Sequence, residues 1–175
     1  MKNKLLIVVD MQNDFITGTL GSVQAQEILP NVAEKVKNFD GEIIFTMDTH
    51  GEDYLETQEG RNLPVKHCLS GTSGHALPKA LAALREEKKA RVYEKGTFGS
   101  VTLAQELKKR ETELASIELA GVCTDICVVS NALLLKAYMP ELPISVDASC
   151  CAGVTPQKHE AALETMRSCQ IIVNE

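Results

Sequence analysis

One cysteine stands where a predicted strand passes through a glycine turn into a helix. Apolar residues at 117–120 predict the strand, and the segment 121–127 (GVCTDIC) follows, with apolar residues at helical spacing behind it. If Thr124 is the helix N-cap, Cys127 lies in the first helical turn, where free N–H groups and the positive end of the helix dipole favour a thiolate. Cys127 is therefore a candidate nucleophile. Because free cysteines are commonly buried, packing beneath the sheet is the alternative interpretation.

Charged residues at the ends of other predicted strands supply what such a nucleophile needs. Asp10 follows the first apolar run, and Lys95 follows the third. Because ligands bind beyond the carboxyl ends of parallel strands, we expect both side chains near Cys127. A carboxylate accepts the thiol proton, an ammonium group stabilises the thiolate, and N–H groups at a helix start hold an oxyanion. The combination predicts a covalent hydrolase. Taken singly, Asp10 could cap a turn and Lys95 could be a solvated lysine.

Asp48, His50 and His67 form a second group of candidate ligands. Asp48 and His50 are two residues apart in an extended segment, so their side chains point the same way, and His67 lies near the end of the same long loop. Two imidazoles and a carboxylate suit a divalent transition metal such as zinc, iron or manganese. A hydrogen-bonded loop pair without metal is the alternative. Either Glu56 or Glu59 would supply a fourth ligand, and the spacing does not choose between them.

Short apolar runs alternate with helical patterns, and this alternation positions the candidate residues. Strands are predicted at 5–9, 42–47, 91–94, 116–120, 144–147 and 170–173, and helices at 23–39 (after a Ser22 cap), 76–87, 101–109, 125–138 and 156–168. The pattern is typical of an α/β fold with a mostly parallel sheet covered by helices on both faces. The intervening loop, at about 48–74, is of a length that is often functional.

Composition narrows the class of protein. The chain has 175 residues, 44% of them hydrophobic and 24% charged, which suits one globular domain over 1–175. A net charge of −6 without any basic run argues against a nucleic-acid partner. The apolar run 5–9 is too short for a secretory signal, and no run approaches a membrane span, so no membrane partner is expected. Six cysteines without scaffold spacing favour free thiols in the cytoplasm.

Five segments, in order along the chain, resemble a known family. They are 9–15 (VDMQNDF), 48–50 (DTH), 63–72 (LPVKHCLSGT), 94–98 (EKGTF) and 121–127 (GVCTDIC). Together they are similar to the isochorismatase-like cysteine hydrolases, and among these most to the nicotinamidases. The resemblance implies a three-layer α/β/α sandwich around a six-stranded sheet, assembled as a homo-oligomer, either a dimer or a tetramer.

The same resemblance implies a role for each matching residue. Cys127 is the nucleophile, Asp10 the base and Lys95 the third catalytic member. The peptide between Val122 and Cys123 is expected to be cis. This geometry would place the backbone N–H of Cys123 beside that of Cys127, so that the two form an oxyanion hole.

The metal ligands implied by the resemblance are Asp48, His50 and His67, with a carboxylate as the fourth. We expect Glu56 in that position, ahead of Glu59. In nicotinamidases the metal, with zinc expected ahead of iron or manganese, holds the ring nitrogen of the substrate.

The implied activity is release of ammonia from a small amide, nicotinamide or a similar heteroaromatic amide, through a thioester. Leu63 stands where nicotinamidases commonly carry an aromatic residue, and the chain has no tryptophan. Phe15 and Phe98 are therefore the aromatic candidates for the substrate pocket, beside Leu63. The alternatives are an isochorismatase-type or ureido/carbamoyl hydrolase on the same fold and, from another class, a non-catalytic binding member of the family.

Overall fold

The core of the fold is one sheet of parallel strands. The computed structural model describes residues 2–175. The strands are β1 (Asn3–Val9), β2 (Glu42–Asp48), β3 (Arg91–Lys95), β4 (Leu114–Val122), β5 (Ile144–Ala152) and β6 (Ile172–Asn174). They lie in the order β3-β2-β1-β4-β5-β6, and every neighbouring pair is parallel. The predicted six-stranded α/β sheet is confirmed.

Helices cover both faces of this sheet. They are α1 (Asn13–Ile16), α2 (Val23–Asn38), α3 (Gln58–Asn62), α4 (Lys79–Glu87), α5 (Val101–Lys109), α6 (Val129–Tyr138) and α7 (Pro156–Ser168). Because side chains alternate along a strand, Leu6 and Val8 of β1 pack with α2 and α4, whereas Ile7 and Val9 pack with α5, α6 and α7. This gives the three layers that the resemblance implied. No helix formed by residues 2–175 has both the length and the apolar character needed to cross a bilayer.

Polar caps explain why the longer helices begin where they do. The side chains of Ser22, Ser100 and Thr155 each accept a hydrogen bond from the backbone N–H three residues later, at the starts of α2, α5 and α7. The predicted helix at 76–87 begins later, at Lys79, because Pro78 occupies its N-cap position. The short helices α1 and α3 were not predicted, since four or five residues are too few to show helical periodicity.

The order of the strands reverses between β1 and β4, which are neighbours in space but far apart in sequence. Ligand sites of open parallel sheets lie at such a point, beyond the carboxyl ends of the strands. Gly121, near the end of β4, has φ +123°, and a Cβ there would collide with the backbone of Val9. A glycine is therefore needed for the close approach of the two strands.

Candidate active site

Three predicted groups meet at the carboxyl ends of the strands. The Nζ atom of Lys95 lies 2.5 Å from Oδ2 of Asp10 and 3.5 Å from Sγ of Cys127. All three residues are buried, with Asp10 0% exposed and both Lys95 and Cys127 6% exposed. The structure thus brings together a carboxylate, an ammonium group and a thiol that are 85 and 32 residues apart along the chain.

Asp10 is held in place by the adjacent strand β2. Its Oδ1 accepts a hydrogen bond from Oγ1 of Thr46 at 2.7 Å, and its backbone N–H donates to the Thr46 carbonyl at 3.2 Å. The φ of Asp10 is +49°, a left-handed conformation that aspartate adopts more readily than most residues. The chain therefore leaves β1 abruptly at Asp10, and the carboxylate stays beside the sheet end.

Burial and mutual charge determine the protonation of this group. Burial raises the pKa of Asp10, although Lys95 opposes the shift. Burial lowers the pKa of Lys95, but the charges of Asp10, Cys127 and Asp48 outweigh it and hold that pKa above its usual range. The pKa of Cys127 lies well above its ordinary value, chiefly because the thiol is buried and also because Asp10 is near. These directions favour a neutral thiol on Cys127 and a charged ammonium group on Lys95 in the resting site.

Cys127 itself lies in a π-helical turn, Thr124–Val128, that follows β4 and leads into α6. The Val122–Cys123 peptide is cis. The carbonyl of Cys123 accepts the N–H groups of Ile126 and Val128, at 3.0 and 3.1 Å, and the Cys127 N–H between them is not one of its donors. The N–H groups of Cys127 and Cys123 stay the predicted oxyanion donors.

The prediction that Thr124 caps this helix is wrong. Cys123 occupies the N-cap position, and no side chain caps the turn. The hydroxyl of Thr124 is instead 2.8 Å from Nδ1 of His159 on α7. Thr124 is fully buried, and its hydroxyl finds its partner in the packed helix rather than in its own turn.

A second cluster lies beside the catalytic group and contains Asp48, His50, Glu59 and His67. One ligand atom from each lies within 4.8 Å of all the others. Oδ2 of Asp48 is 2.8 Å from Nε2 of His50 and 3.4 Å from Nε2 of His67, and Oε1 of Glu59 is 3.8 Å from both. Nδ1 of His67 is 2.8 Å from the Val65 carbonyl, which directs Nε2 into the cluster. Two imidazoles and two carboxylates in this arrangement fit a divalent transition metal.

The preference for Glu56 as fourth ligand is corrected to Glu59. Glu56 ends a 3₁₀ turn and is exposed. Thr57 then caps α3, accepting a hydrogen bond from the Gly60 N–H, and Glu59 lies in the first turn of that helix. Its side chain is 21% exposed. The start of α3 thus turns Glu59 inward, and the chain spacing alone did not reveal that turn.

An apolar cavity of about 520 Å³ opens beside Cys127. The three predicted pocket residues, Phe15, Leu63 and Phe98, all line it, together with His67 and Cys127. Leu63 and Phe98 are 39% and 42% exposed, so they form part of its outer wall. A small amide in this cavity would contact both the candidate nucleophile and the candidate metal cluster.

Comparison with known proteins identifies the family of this chain. The isochorismatase domain profile matches residues 4–174. The chain belongs to the isochorismatase family. The chain is 28% identical to one relative, the nicotinamidase/pyrazinamidase of Mycobacterium tuberculosis, over 186 aligned positions that cover 96% of each chain. The predicted family is therefore confirmed.

Solved structures match this isochorismatase-family fold along its whole length. The nicotinamidase from Bacillus subtilis superposes with a TM-score of 0.84 at 31% identity and covers 100% of both chains. The pyrazinamidase of Pyrococcus horikoshii, solved in complex with zinc, superposes with a TM-score of 0.80 at 27% identity and covers 99% of each chain.

Gln12 and Asp14, which position the candidate site, were not predicted from the sequence. Gln12 is fully buried. Its amide donates to the carbonyls of Asp48 and His75, and its Oε1 accepts from the Asp48 N–H. Asp14 accepts a hydrogen bond from the Cys68 N–H at 2.8 Å and so anchors the segment that carries His67. Both residues lie in the segment 9–15 (VDMQNDF), which carried the resemblance but gave no role to these two side chains.

Asn131 on α6 is a third positioning residue that was not predicted. Its Nδ2 donates to the carbonyls of Cys127 and Phe98, at 2.8 and 3.1 Å, and its Oδ1 accepts from the Ser100 N–H at 2.9 Å. One buried amide therefore ties the turn of the candidate nucleophile to the pocket wall. The sequence did contain a signal for this role. A single asparagine stands inside an apolar helix, and a buried amide needs hydrogen-bond partners.

Proposed function

We propose that this protein is a cysteine-dependent amidohydrolase that releases ammonia from nicotinamide or a similar small heteroaromatic amide. The observation that carries the proposal is the contact of Lys95 with both Asp10 and Cys127 beside an apolar cavity. Hydrolysis of an amide C–N bond is the activity in the names of its nicotinamidase relatives. The cysteine mechanism follows from the chemistry of the three buried groups.

In the first half of the reaction, Asp10 accepts the Cys127 proton and the thiolate attacks the amide carbonyl carbon. The carbonyl oxygen becomes an oxyanion, which the N–H groups of Cys123 and Cys127 stabilise. The C–N bond then breaks, and Asp10 returns the proton to the leaving nitrogen, so that ammonia departs and a thioester remains on Cys127.

In the second half, water enters as ammonia leaves. Asp10 removes a proton from the water as it attacks the thioester carbonyl, the C–S bond breaks, and the thiolate of Cys127 takes the proton back. Lys95 keeps its positive charge throughout. It stabilises the thiolate in both halves and holds Asp10 ionised, ready to accept a proton.

The residues that would hold a metal are Asp48, His50, Glu59 and His67. We propose a divalent ion there, with zinc ahead of iron or manganese, and the zinc complex of the Pyrococcus horikoshii pyrazinamidase supports this order. A bound ion would supply a Lewis-acid contact for the ring nitrogen of the substrate. Two of the four side chains, His67 and Glu59, line the cavity that also contains Cys127, so an ion held by the four would orient the ring relative to the nucleophile.

Ammonia release by the metal-loaded protein from nicotinamide, pyrazinamide and N-carbamoyl compounds tests the proposal. We expect turnover of the two ring amides. Preferred turnover of N-carbamoyl compounds would assign the protein to the ureido/carbamoyl branch instead. No turnover of any compound while Cys127 remains reduced would contradict the amidase proposal and favour a non-catalytic binding member.

We further propose that residues 1–175 act as a single hydrolase domain, in the cytoplasm, as a homo-oligomer. All six cysteines are free, which suits a reducing compartment. Sedimentation analysis that finds dimers or tetramers would support the assembly. A monomer at micromolar concentration would contradict it.

A further inference from the structure

The cavity beside Cys127 is larger than a small neutral amide requires. Its volume of about 520 Å³ lies inside the range of about 300–1,000 Å³ that holds drug-sized ligands. One pyridine ring with one carboxamide fills only part of such a space. The outer wall includes Phe98 and Val154, which are 42% and 45% exposed. A substrate with a further substituent can therefore be accommodated between the reacting group and this wall.

A cation lines the same cavity. Lys158, in the first turn of α7, is the one lysine or arginine among the described residues that line it. The ion pairs formed by basic residues of α7 belong to Arg167, and none within residues 2–175 involves Lys158. Its ammonium group is thus available to an anion that enters the cavity.

The segment that carries Lys158 is fastened to the turn of the candidate nucleophile. Nδ1 of His159 lies 2.8 Å from the hydroxyl of Thr124, and the Val154 N–H donates to Oδ1 of Asp125 at 2.9 Å. Both partners belong to the π-helical turn that presents Cys127. The backbone of Lys158 is therefore held next to the turn of the reacting centre, and the residue itself is exposed.

The charge of Lys158 also affects the thiol of Cys123, which lines the same cavity. Burial raises the pKa of the Cys123 thiol to about 12, with Asp125 and Asp10 adding to the shift, while Lys158 opposes it. Lys158 and Cys123 thus line the same cavity, and the backbone N–H of Cys123 belongs to the proposed oxyanion hole.

We propose that Lys158 forms a carboxylate subsite, so that the preferred substrates are aromatic amides that carry a carboxylate besides the scissile carboxamide. This inference rests on the proposed amidase function. Glu59 and His67 of the candidate metal cluster line the cavity, and Lys158 lines it from a different element, α7. The mostly apolar lining of the cavity displaces water when a ligand binds, and this strengthens the attraction between the ammonium group and a carboxylate.

Two matched compounds test the subsite: the monoamide of dinicotinic acid, which is nicotinamide with one carboxylate added to the ring, and the methyl ester of that monoamide. The pair differs in charge and hardly in shape. We expect the wild-type protein to have a kcat/KM for the carboxylate compound about tenfold above that for the ester. That ratio corresponds to about 1.4 kcal/mol. In Lys158→Gln the preference disappears, and in Lys158→Glu it reverses.

Lys79→Glu is the matched control, because Lys79 is an exposed lysine in the first turn of another helix, α4, away from the cavity. It should keep the wild-type preference. Equal loss of activity toward both compounds in Lys158→Gln would show that Lys158 acts on the oxyanion instead, and an unchanged ratio would show that it does not contact the substrate. Either result overturns the proposal.

Binding of dinicotinate and nicotinate to the metal-loaded protein, measured by calorimetry, separates this subsite from the proposed reaction. The subsite predicts about tenfold weaker binding of dinicotinate in Lys158→Gln, with nicotinate unchanged, even if no amide is hydrolysed. Equal affinities in the wild-type and variant proteins contradict the subsite. If no amide is hydrolysed but dinicotinate binds more weakly to Lys158→Gln than to the wild type, with nicotinate unchanged, only the amidase function is contradicted.

Discussion

The ammonium group of Lys95 reaches the carboxylate of Asp10 across an intervening strand. Asp10 follows β1 and Lys95 ends β3, and β2 lies between them in the sheet, yet Nζ and Oδ2 are 2.5 Å apart. Lys95 also lies 3.5 Å from Oδ1 of Asp48, at the end of β2. One lysine therefore joins three strand ends and connects the thiol chemistry to the candidate metal cluster.

Replacement of Lys95 by methionine should destabilise the protein. The substitution leaves the buried carboxylate of Asp10 without its cation, and loss of one partner from a buried ion pair costs about 3–5 kcal/mol. Urea denaturation measures the change in the free energy of unfolding. The double variant Asp10→Asn/Lys95→Met should recover part of the loss while remaining inactive. Equal stability of the single variant and the wild type would mean that the pair does not hold the site together.

The two cysteines of the segment 121–127 should respond differently to alanine. Cys127→Ala removes the nucleophile, so we expect kcat for nicotinamide to fall by roughly 10⁴-fold or more, as for nucleophiles of other covalent hydrolases. Cys123→Ala should keep most of the activity, because its backbone N–H remains. Steady-state ammonia release measures both, with thermal unfolding as the check on folding. Full activity in Cys127→Ala would refute the nucleophile assignment.

Metal binding should depend on Glu59 and not on Glu56. Glu59→Gln removes one carboxylate from the cluster and should weaken binding of zinc by roughly 10-fold or more. Glu56→Gln is the neighbouring control and should bind zinc as the wild type does, since that side chain is exposed and outside the cluster. Competition with a chromogenic chelator measures the affinity without reference to activity. The opposite ranking of the two variants would restore Glu56 as the ligand.

The ion pair of Glu42 with Arg110 should make stability depend on pH in the acid range. Hydrogen bonds from Arg110, opposed by partial burial and aided by Arg91, hold the pKa of Glu42 below its ordinary value of 4.5. The contribution of Glu42 is therefore complete above pH 4.5 and is lost as the pH falls through the lower pKa of the folded state. At pH 7, Glu42→Gln should be about 1 kcal/mol less stable than the wild type.

Chemical denaturation of wild type and Glu42→Gln at a series of pH values tests this dependence. The difference in the free energy of unfolding should shrink as the pH falls below 4.5. Glu164→Gln, whose side chain is 72% exposed, should differ little from the wild type at any pH. A constant difference for Glu42→Gln between pH 7 and pH 3 would contradict the assignment to charge.

Much of the fold followed from local patterns. Short strand patterns located all six strands, and the signal was clearest in the buried strand β1, because buried parallel strands consist almost wholly of apolar residues. Ser22 marked the start of α2, since a side-chain cap acts within three residues. The residues at the strand ends could be selected as well, because in a parallel sheet the carboxyl ends of the strands share one edge. Asp10, Lys95 and Cys127 were selected in this way.

The details that depended on contacts between distant segments could not be read from the chain. Thr124 has the residue type of a helix cap, but packing against α7 gave its hydroxyl a different partner in His159. Glu56 and Glu59 are equally plausible by spacing, and only the inward start of α3 selects Glu59. In both cases the local preference is small, about 1 kcal/mol for a cap, and tertiary packing outweighs it.

The sequence by itself determined the candidate groups: a thiol, a carboxylate and an ammonium group at strand ends, and imidazoles with carboxylates at the end of β2 and in the loop after it. The tertiary structure decided which carboxylate joins the cluster, how Lys95 spans β2, and that Lys158 lines the cavity. The physical reason is the distance along the chain over which each interaction acts. Strand patterns and caps act over a few residues, whereas ligand sets and pocket linings depend on side chains that only the packed layers bring within contact distance.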